Sequence, residues 1–311
     1  MKTAIIINPA AANGRLGRVW PRLEPVVREA LGDCEALRTE RRGHACELAR
    51  AALQSGCERI VSVGGDGTHN EVLNGFFDGA ALVQPDAILG FLPFGTGGDF
   101  VRSIRIPKGP AAIQALRTAT LKAVDVGRVR FRASDGTTQT RHFMNITDFG
   151  IGGEVVRRVN ASNKFFGGFA SFLWGVLTAI ATHTNAEMEL TFDGEPLRGK
   201  FSNIIVAKGQ YYGGGMHVAP FARLDNGLFD VYVIGDVGKI ESFVNLPKVY
   251  LGGLHRRVDK VRYIRAKHID ARSNSNVLVN IDGEQPGGLP LEISLVPKAI
   301  RLIVGPTFAT G

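Results

Sequence analysis

Two glycine-rich loops, each placed directly after a short run of strand-forming residues, constrain the fold most strongly. The run 60–63 stops at the GGDGT loop (64–68), and the run 88–92 stops at Pro93, before the GTGGD loop (95–99). A helical pattern follows the first loop at once. Strands that alternate with helices predict a parallel sheet, and the loops after such strands meet at one edge.

The start of the chain repeats this arrangement. The apolar run Ala4–Ile7 is typical of a strand buried on both faces, and it ends in a turn of small residues from Asn8 to Gly14. Helical patterns follow at about Arg18–Leu31 and Cys46–Gln54. We therefore predict an α/β domain with a parallel sheet over residues 1–124.

Beyond residue 124 the pattern changes to strands. The strand-like segments are Val126–Arg132, Arg141–Thr147, Glu187–Phe192, Phe201–Ala207, Leu228–Ile234, Val277–Ile281, Leu291–Val296 and Ile300–Val304. Asp193-Gly194 indicates a hairpin. We predict a mainly β sandwich domain over residues 125–311, with a few inserted helices and with its last residues packing back on the first domain.

Composition and charge narrow the classes of protein. With 311 residues, 44% hydrophobic and 21% charged, the chain is globular, and its net charge of +8 predicts a polyanionic partner. Cys34, Cys46 and Cys57 lack zinc or disulfide spacing, and the apolar start ends at Asn8, too soon for a signal peptide. We expect a cytoplasmic, reduced protein.

An uncharged stretch of 18 residues, Phe165–Thr182, is near the lower limit for a membrane span. Its glycine, serine and threonine residues make it only moderately apolar. A helix of the second domain is favoured over contact with a membrane or acyl chains, and both are favoured over a span.

The GGDGT loop gives the strongest indication of chemistry. Glycines let backbone N–H groups approach a phosphate, and the next helix adds the positive end of its dipole. Asp66 would repel phosphate, so we predict that it acts through Mg²⁺ or through hydrogen bonds that shape the loop. Neither GxxxxGK[ST] nor GxGxxG occurs, which excludes a P-loop NTPase and leaves an NAD-binding fingerprint unsupported.

Two carboxylates, Asp282 and Glu284, follow the strand-like segment 277–281 with one glycine between them. They could supply a general base and its orienting or metal partner. An ordinary Asp-Gly turn with a solvated glutamate is the alternative for this segment taken alone.

In their order these motifs resemble the diacylglycerol kinase catalytic-domain superfamily, specifically the soluble bacterial lipid kinases related to diacylglycerol and sphingosine kinases. The segments that carry the resemblance are the NP-small-small opening, RTERRGHA, GGDGTHNEVLNG, PFGTGGDF, NITDFGIGGEV, RLDNGLFD and NIDGE. GGDGT alone is shared with NAD kinases and phosphofructokinases. The resemblance implies an NAD kinase/phosphofructokinase-like first domain, a lipid-substrate second domain and ATP in the interdomain cleft.

The resemblance also implies site residues. Those of the ATP site would be Asn8, Pro9, Asn13, Gly14, Thr39, Gly64, Gly65, Asp66, Gly67, Thr68, His69, Asn70 and Thr96. Glu284, with Asp282 beside it, would be the general base that accepts the proton of a lipid hydroxyl, diacylglycerol-like, during transfer of the γ-phosphate. Asp66 and Asp99 would organise a catalytic Mg²⁺ or the loops.

A structural Mg²⁺ site in the second domain is implied as well, with ligands from the Arg223 carbonyl, Asn226 and the Leu228 carbonyl. Asp225-Asn226 replaces the family's usual pair of aspartates, and losing a hard anionic ligand weakens a Mg²⁺ site. Gly98 is a second departure, since GTGND is common there.

The segment Leu251–Arg272 is strongly basic, which is compatible with peripheral docking at the anionic inner face of a membrane. Its cations are Arg256, Arg257, Lys260, Arg262, Arg265, Lys267 and Arg272. A solvated basic face is the alternative, and no nucleic-acid module accompanies the charge.

Two other functions remain open at the level of sequence, an NAD kinase-like phosphotransferase and an inactive nucleotide- or membrane-binding regulator. The opening segment and the Asp-Gly-Glu motif favour a lipid kinase over an NAD kinase. The four acids Asp66, Asp99, Asp282 and Glu284 are all present, which argues against an inactive regulator.

Overall fold

The computed structural model describes residues 1–95, 97–107, 109–118, 120–161, 168–250, 252, 256 and 258–308. The chain divides into two compact units. Unit 1 consists of Met1–Val126 together with Pro297–Gly311, and unit 2 is Gly127–Val296. Two long strands, β7 (Thr120–Ala133) and β17 (Glu284–Val304), include residues of both units.

Unit 1 is an α/β fold with a parallel sheet in the order β17, β6, β3, β1, β2. The strands are β1 (Thr3–Ile7), β2 (Cys34–Arg38), β3 (Arg59–Gly64), the short β4 (Phe77–Asp78) and β5 (Ala81–Leu82), and β6 (Ile88–Pro93). The helices are α1 (Arg15–Leu31), α2 (His44–Gln54), α3 (Asp66–Gly75), α4 (Asp99–Ser103) and α5 (Pro110–Thr118). Every residue of β1 and β3 is buried, as expected for central strands of a parallel sheet.

The parallel sheet brings the ends of β1, β3 and β6 to one edge. Asn8, Gly65 and Phe94 are the first residues after these strands. Strand β2 was not predicted, because only one of its five residues is buried and its sequence therefore lacks an apolar run.

Unit 2 is mainly β, in agreement with the predicted fold class. Its strands are β8 (Thr138–Phe143), β9 (Ile146–Gly150), β10 (Ala186–Phe192), β11 (Glu195–Phe201), β12 (Asn203–Ala207), β13 (Phe229–Ile234), β14 (Val261–Ala266), β15 (His268–Arg272) and β16 (Leu278–Ile281). One path of neighbouring strands runs β14, β13, β12, β9, β16, β17. The inserted helices are α6 (Ile151–Ala161), α7 (Gly168–Thr182) and α8 (Lys239–Tyr250).

The core of unit 2 follows from strand alternation. In β10 the residues Ala186, Met188, Leu190 and Phe192 are buried, and they pack in a cluster with apolar residues of the other strands. The hairpin at Asp193-Gly194 is confirmed, since Phe192 pairs with Glu195 across it. Within the described part of the chain, no helix combines the length and apolarity that crossing a membrane requires. Phe165–Gly167 lie outside the described residues.

Candidate active site

The two glycine-rich loops of unit 1 meet through their backbones. A Cβ atom added to Gly95 would lie 2.7 Å from the Cα atom of Gly65, and one added to Gly64 would lie 2.7 Å from the hydroxyl oxygen of Thr68. Only glycine allows these approaches. The loops thus present backbone N–H groups close together at the sheet edge, beside the N-terminus of α3, which is the arrangement that binds phosphate. Thr96 lies outside the described residues.

Asp66 of the first loop accepts a hydrogen bond from the second loop. The backbone N–H of Gly98 donates to Asp66 Oδ2 at 2.9 Å, and the N–H groups of Asp99 and Phe100 also favour its charged form. Burial outweighs these donors and raises the pKa of the Asp66 carboxyl above its ordinary value. Asp66 therefore caps α4 and shapes the loop, which is one of the two roles predicted for it.

The other carboxylate oxygen, Asp66 Oδ1, is buried and accepts no hydrogen bond from any residue that the structure describes. An oxygen of this kind suits a hard cation, so Asp66 also fits the second predicted role, contact with a catalytic Mg²⁺. Asp99 is 7% exposed, and its carboxylate lies 3.9 Å from Arg102 Nη1 within α4.

The turn after β1 is fastened to the GGDGT loop. Asn8 Nδ2 donates to Thr68 Oγ1 at 2.9 Å, while Asn8 Oδ1 accepts from the backbone N–H of Ala10 at 3.0 Å. The N–H of Thr39 donates to the carbonyl of Ile7 at 2.9 Å, so Thr39 stands beside the same strand end. Most of the predicted nucleotide residues therefore gather at one edge of the sheet.

The same turn has an unusual backbone. Ala12, Asn13 and Gly14 have successive φ angles of 52°, 56° and 77° before α1 begins. Non-glycine residues avoid this left-handed region, and such strain concentrates at functional sites.

The side chains of His69 and Asn70 lie in the protein interior, on α3. His69 is 3% exposed, its Nδ1 lies 2.8 Å from Ser62 Oγ, and its ring centroid lies 4.6 Å from that of Phe91. Burial lowers the pKa of His69 to about 3, so its ring is neutral. Asn70 is 6% exposed, and its Oδ1 accepts from Asn74 Nδ2 at 3.1 Å. Both side chains thus have interior partners, and a role for these two residues at the nucleotide site stays a prediction.

In unit 2 the Asp-Gly-Glu segment forms a two-residue hairpin turn. Asp282 and Gly283 have φ angles of 47° and 89°, and Ile281 pairs with Glu284 across the turn. Positive φ at both central residues is the type I′ arrangement, for which Asp-Gly is a favoured sequence. Glu284 is partly exposed and starts β17 directly after the turn.

The Asp282 carboxylate accepts hydrogen bonds from three backbone N–H groups. Asp282 Oδ1 accepts from the N–H groups of Asn145 at 3.2 Å and Ile146 at 2.9 Å, and Oδ2 accepts from Met144 at 3.2 Å. These bonds also interrupt the single strand predicted over 141–147, which is instead divided into β8 and β9. Asp282 therefore fixes the turn that precedes Glu284, and the assignment of Glu284 as the general base stays a prediction.

A buried network behind this turn was missed in the sequence, where Asp148-Phe149-Gly150 had no assigned role. Asp148 is fully buried, and its two oxygens accept from Asn203 Nδ2 at 2.9 Å and Asn280 Nδ2 at 2.7 Å. The Asn280 Oδ1 atom accepts from the N–H of Gly283 at 2.8 Å. Asp148 therefore fixes the amide that holds the turn before Glu284. An acid within a strand-like segment, close to Ile146 and Phe149, was the available signal.

We expect Asp148 to titrate near pH 6. Burial raises the pKa of its carboxyl to about 6, and the two asparagine donors only partly oppose this effect. Since the folded-state pKa lies above that of an unfolded aspartate, the contribution of Asp148 to the free energy of unfolding falls as the pH rises from about 4 to about 6, and is constant above. Carbon-13 NMR of labelled aspartate, assigned with an Asp148→Asn variant, measures the midpoint. A midpoint near 4 would contradict this expectation.

The predicted structural Mg²⁺ site holds a lysine instead. Lys208 is fully buried, and its Nζ donates to Asn226 Oδ1 at 3.1 Å and to the carbonyl of Leu228 at 2.9 Å. Two of the three oxygens assigned to Mg²⁺ thus already contact a positive charge. The residues present do not fit a divalent cation, which corrects the expectation from the sequence. No cluster of three or more His, Cys, Asp or Glu side chains suited to a metal occurs among the described residues.

Comparisons with known proteins agree with this division of the chain. Residues 2–129 match the model of the diacylglycerol kinase catalytic domain, and residues 145–304 match that of the YegS C-terminal NAD kinase beta sandwich-like domain. A diacylglycerol kinase from Staphylococcus carnosus (strain TM300) is 28% identical over 93% of this chain and 90% of its own length. A Chromohalobacter salexigens protein named probable lipid kinase YegS-like is 30% identical over 89% of this chain and 88% of its own length.

A solved structure shows the same fold. The crystal structure of a diacylglycerol kinase from Bacillus anthracis str. Sterne covers 99% of this chain and 98% of its own, with a TM-score of 0.71 and 21% identity. The order of motifs, the paired glycine loops and the two matching models all lead to the same assignment. The chain belongs to the diacylglycerol kinase catalytic-domain family, in the form that carries a YegS-type β-sandwich domain.

Proposed function

We propose that this protein transfers the γ-phosphoryl group of ATP to the hydroxyl group of a diacylglycerol-like lipid. The observation that carries the proposal is the meeting of three loops at one sheet edge, where Gly65, Gly95 and the Asn8–Thr68 pair come together. This arrangement supplies phosphate-binding N–H groups. Membership of a kinase family supports phosphoryl transfer.

The chemistry needs little covalent work from the protein, which has to position ATP, stabilise charge and orient the acceptor. Backbone N–H groups of the GGDGT loop would bind the phosphates, and the buried Asp66 Oδ1 would contribute to holding Mg²⁺. When bound, Mg²⁺ neutralises the charge of the phosphate oxygens.

Glu284 accepts the proton of the lipid hydroxyl. The new bond joins that oxygen to the γ-phosphorus, and the broken bond joins the γ-phosphorus to the bridging oxygen, which leaves with ADP. Asp282 and Asn280 hold the turn and so keep Glu284 in place. The acceptor is a membrane lipid and the chain carries a net charge of +8, so we place the protein in the cytoplasm, at the anionic inner face of a membrane.

Labelled ATP with Mg²⁺ and lipids in mixed micelles tests this function. The acceptors are diacylglycerol, phosphatidylglycerol and a sphingoid base, with NAD as a soluble alternative. We expect label in at least one lipid and none in NAD. Label in NAD alone would identify an NAD kinase-like enzyme, and no label in any acceptor would favour the inactive regulator.

A further inference from the structure

Helix α8 turns an apolar face towards solvent. Ile240 is 82% exposed, Val244 64% and Phe243 40%, and Pro247 is exposed as well. These positions are i, i+4, i+3 and i+7 of one helix and therefore form a single stripe. An amphipathic helix of a globular protein normally buries this stripe and exposes its polar residues.

The opposite face of α8 attaches the helix to unit 2. Leu246 and Val249 are partly buried, and Val249 packs against a cluster that contains Ile205 and Tyr232. No residue of α8 is fully buried. The helix is thus held by one side, and the exposed stripe is not needed to anchor it.

Helix α7, which packs against α8, carries further exposed apolar residues. The two helices pack together, and Lys239 Nζ at the start of α8 donates to the carbonyl of Ala181 in α7 at 2.7 Å. On α7, Trp174 is 68% exposed and Leu173 is 37% exposed. We call Leu173, Trp174, Ile240, Phe243 and Val244 the apolar ridge. Exposed apolar groups clustered in this way mark interaction sites.

The positive charge around the apolar ridge indicates which partner binds to it. Residues 239–272 contain nine lysine and arginine residues against three acidic ones. Lys239 and Lys248 belong to α8 itself, and Lys260 is linked to the helix through Glu241 at 2.8 Å. A second copy of the chain would bring like charges together at the ridge, whereas an anionic bilayer offers both acyl chains and negative head groups.

We propose that the apolar ridge inserts into the interfacial region of an anionic bilayer, with the neighbouring cations against the head groups. Trp174 suits this position, because tryptophan is enriched at membrane–water interfaces. A helix with an apolar face and flanking cations lies in the plane of the interface. The inference rests on the proposed function, since it explains how a water-exposed kinase reaches a lipid acceptor.

Tryptophan fluorescence tests insertion directly. The chain has two tryptophans, and Trp20 is 1% exposed while Trp174 is 68% exposed. On phosphatidylcholine vesicles with phosphatidylglycerol, we expect a blue shift and quenching by brominated acyl chains. Both effects should be absent in a Trp174→Phe variant. Absence of quenching in the unmodified protein would overturn the proposal.

Paired substitutions test the ridge itself. We expect Ile240→Ser with Val244→Ser to lower the vesicle partition coefficient by about tenfold or more, since two apolar side chains no longer leave water. Val26→Ser is the matched control, because Val26 is 49% exposed on α1 of unit 1. Unchanged vesicle binding in the double variant would overturn the proposal. If sedimentation velocity then showed that the double variant loses a dimer, the occupant would be a second copy.

Vesicle binding is measured without ATP. A failure of the membrane-insertion proposal can therefore be distinguished from a failure of the proposed function. Turnover of monomeric short-chain diacylglycerol needs no membrane, and we expect the double variant to retain it. If no lipid is phosphorylated while vesicle binding and quenching persist, the proposed function fails and the ridge assignment stands. If the double variant keeps vesicle binding and short-chain turnover, the ridge assignment fails alone.

Discussion

Replacing Glu284 by glutamine is expected to reduce phosphoryl transfer by about 10²–10⁴-fold, the usual contribution of a general base. Glutamine has nearly the same shape but cannot take the proton of the acceptor hydroxyl. Since the turn is held by Asp282 and Asn280, the thermal unfolding midpoint should stay unchanged. Initial rates with labelled ATP at saturating lipid measure the effect, and KM for ATP should change little.

Two further variants serve as comparisons for Glu284→Gln. Glu195→Gln removes a carboxylate from the exposed hairpin of unit 2 and should leave the rate unaltered. Asp282→Asn should lower both the rate and the unfolding midpoint. The two carboxylate oxygens of Asp282 accept three N–H donors, whereas asparagine has one acceptor oxygen and turns an NH2 group towards the remaining donors. Normal turnover by Glu284→Gln would remove this residue from the mechanism.

Lys208→Met should lower the free energy of unfolding by about 3 kcal/mol, because oxygens of the partly buried Asn226 and Leu228 lose a charged donor. Urea denaturation followed by circular dichroism measures the change. The unmodified protein should have the same stability in EDTA as in millimolar Mg²⁺, since the ammonium already supplies the positive charge. Metal-dependent stability of the unmodified protein would contradict this assignment.

Lys200→Met is the control, because Lys200 is exposed and lies 3.8 Å from an exposed carboxylate of Asp236, and it should change stability little. A double variant, Lys208→Met with Asn226→Asp, removes the internal cation and restores an anionic ligand. We expect this variant to gain stability with Mg²⁺, by mass action of a ligand that binds only the folded state.

The fold class and the sheet edge that gathers the glycine-rich loops can be predicted because their signals are local. A buried strand followed by a glycine-rich loop and a helix is continuous in sequence, and parallel strands necessarily end at a common edge. Asn8 and the GGDGT residues were therefore assigned together before their contacts were known. The Asp-Gly hairpins at 193–194 and 282–283 follow equally from two adjacent residues that tolerate positive φ.

The roles of individual polar side chains depended on tertiary contacts. His69 lies one residue beyond Thr68, yet helical rotation places it against Ser62 and Phe91 in the core. Lys208 is 18 residues from Asn226, and no local pattern indicates that its ammonium contacts that side chain.

The sequence by itself therefore determined the order of elements, the sheet edge at which the glycine-rich loops meet and the family, because short-range patterns encode all three. The tertiary structure alone shows which groups contact the Asp282 carboxylate. The N–H groups that contact Asp282 come from a segment 136–138 residues away. Hydrogen bonds of that range exist only once the strands have packed.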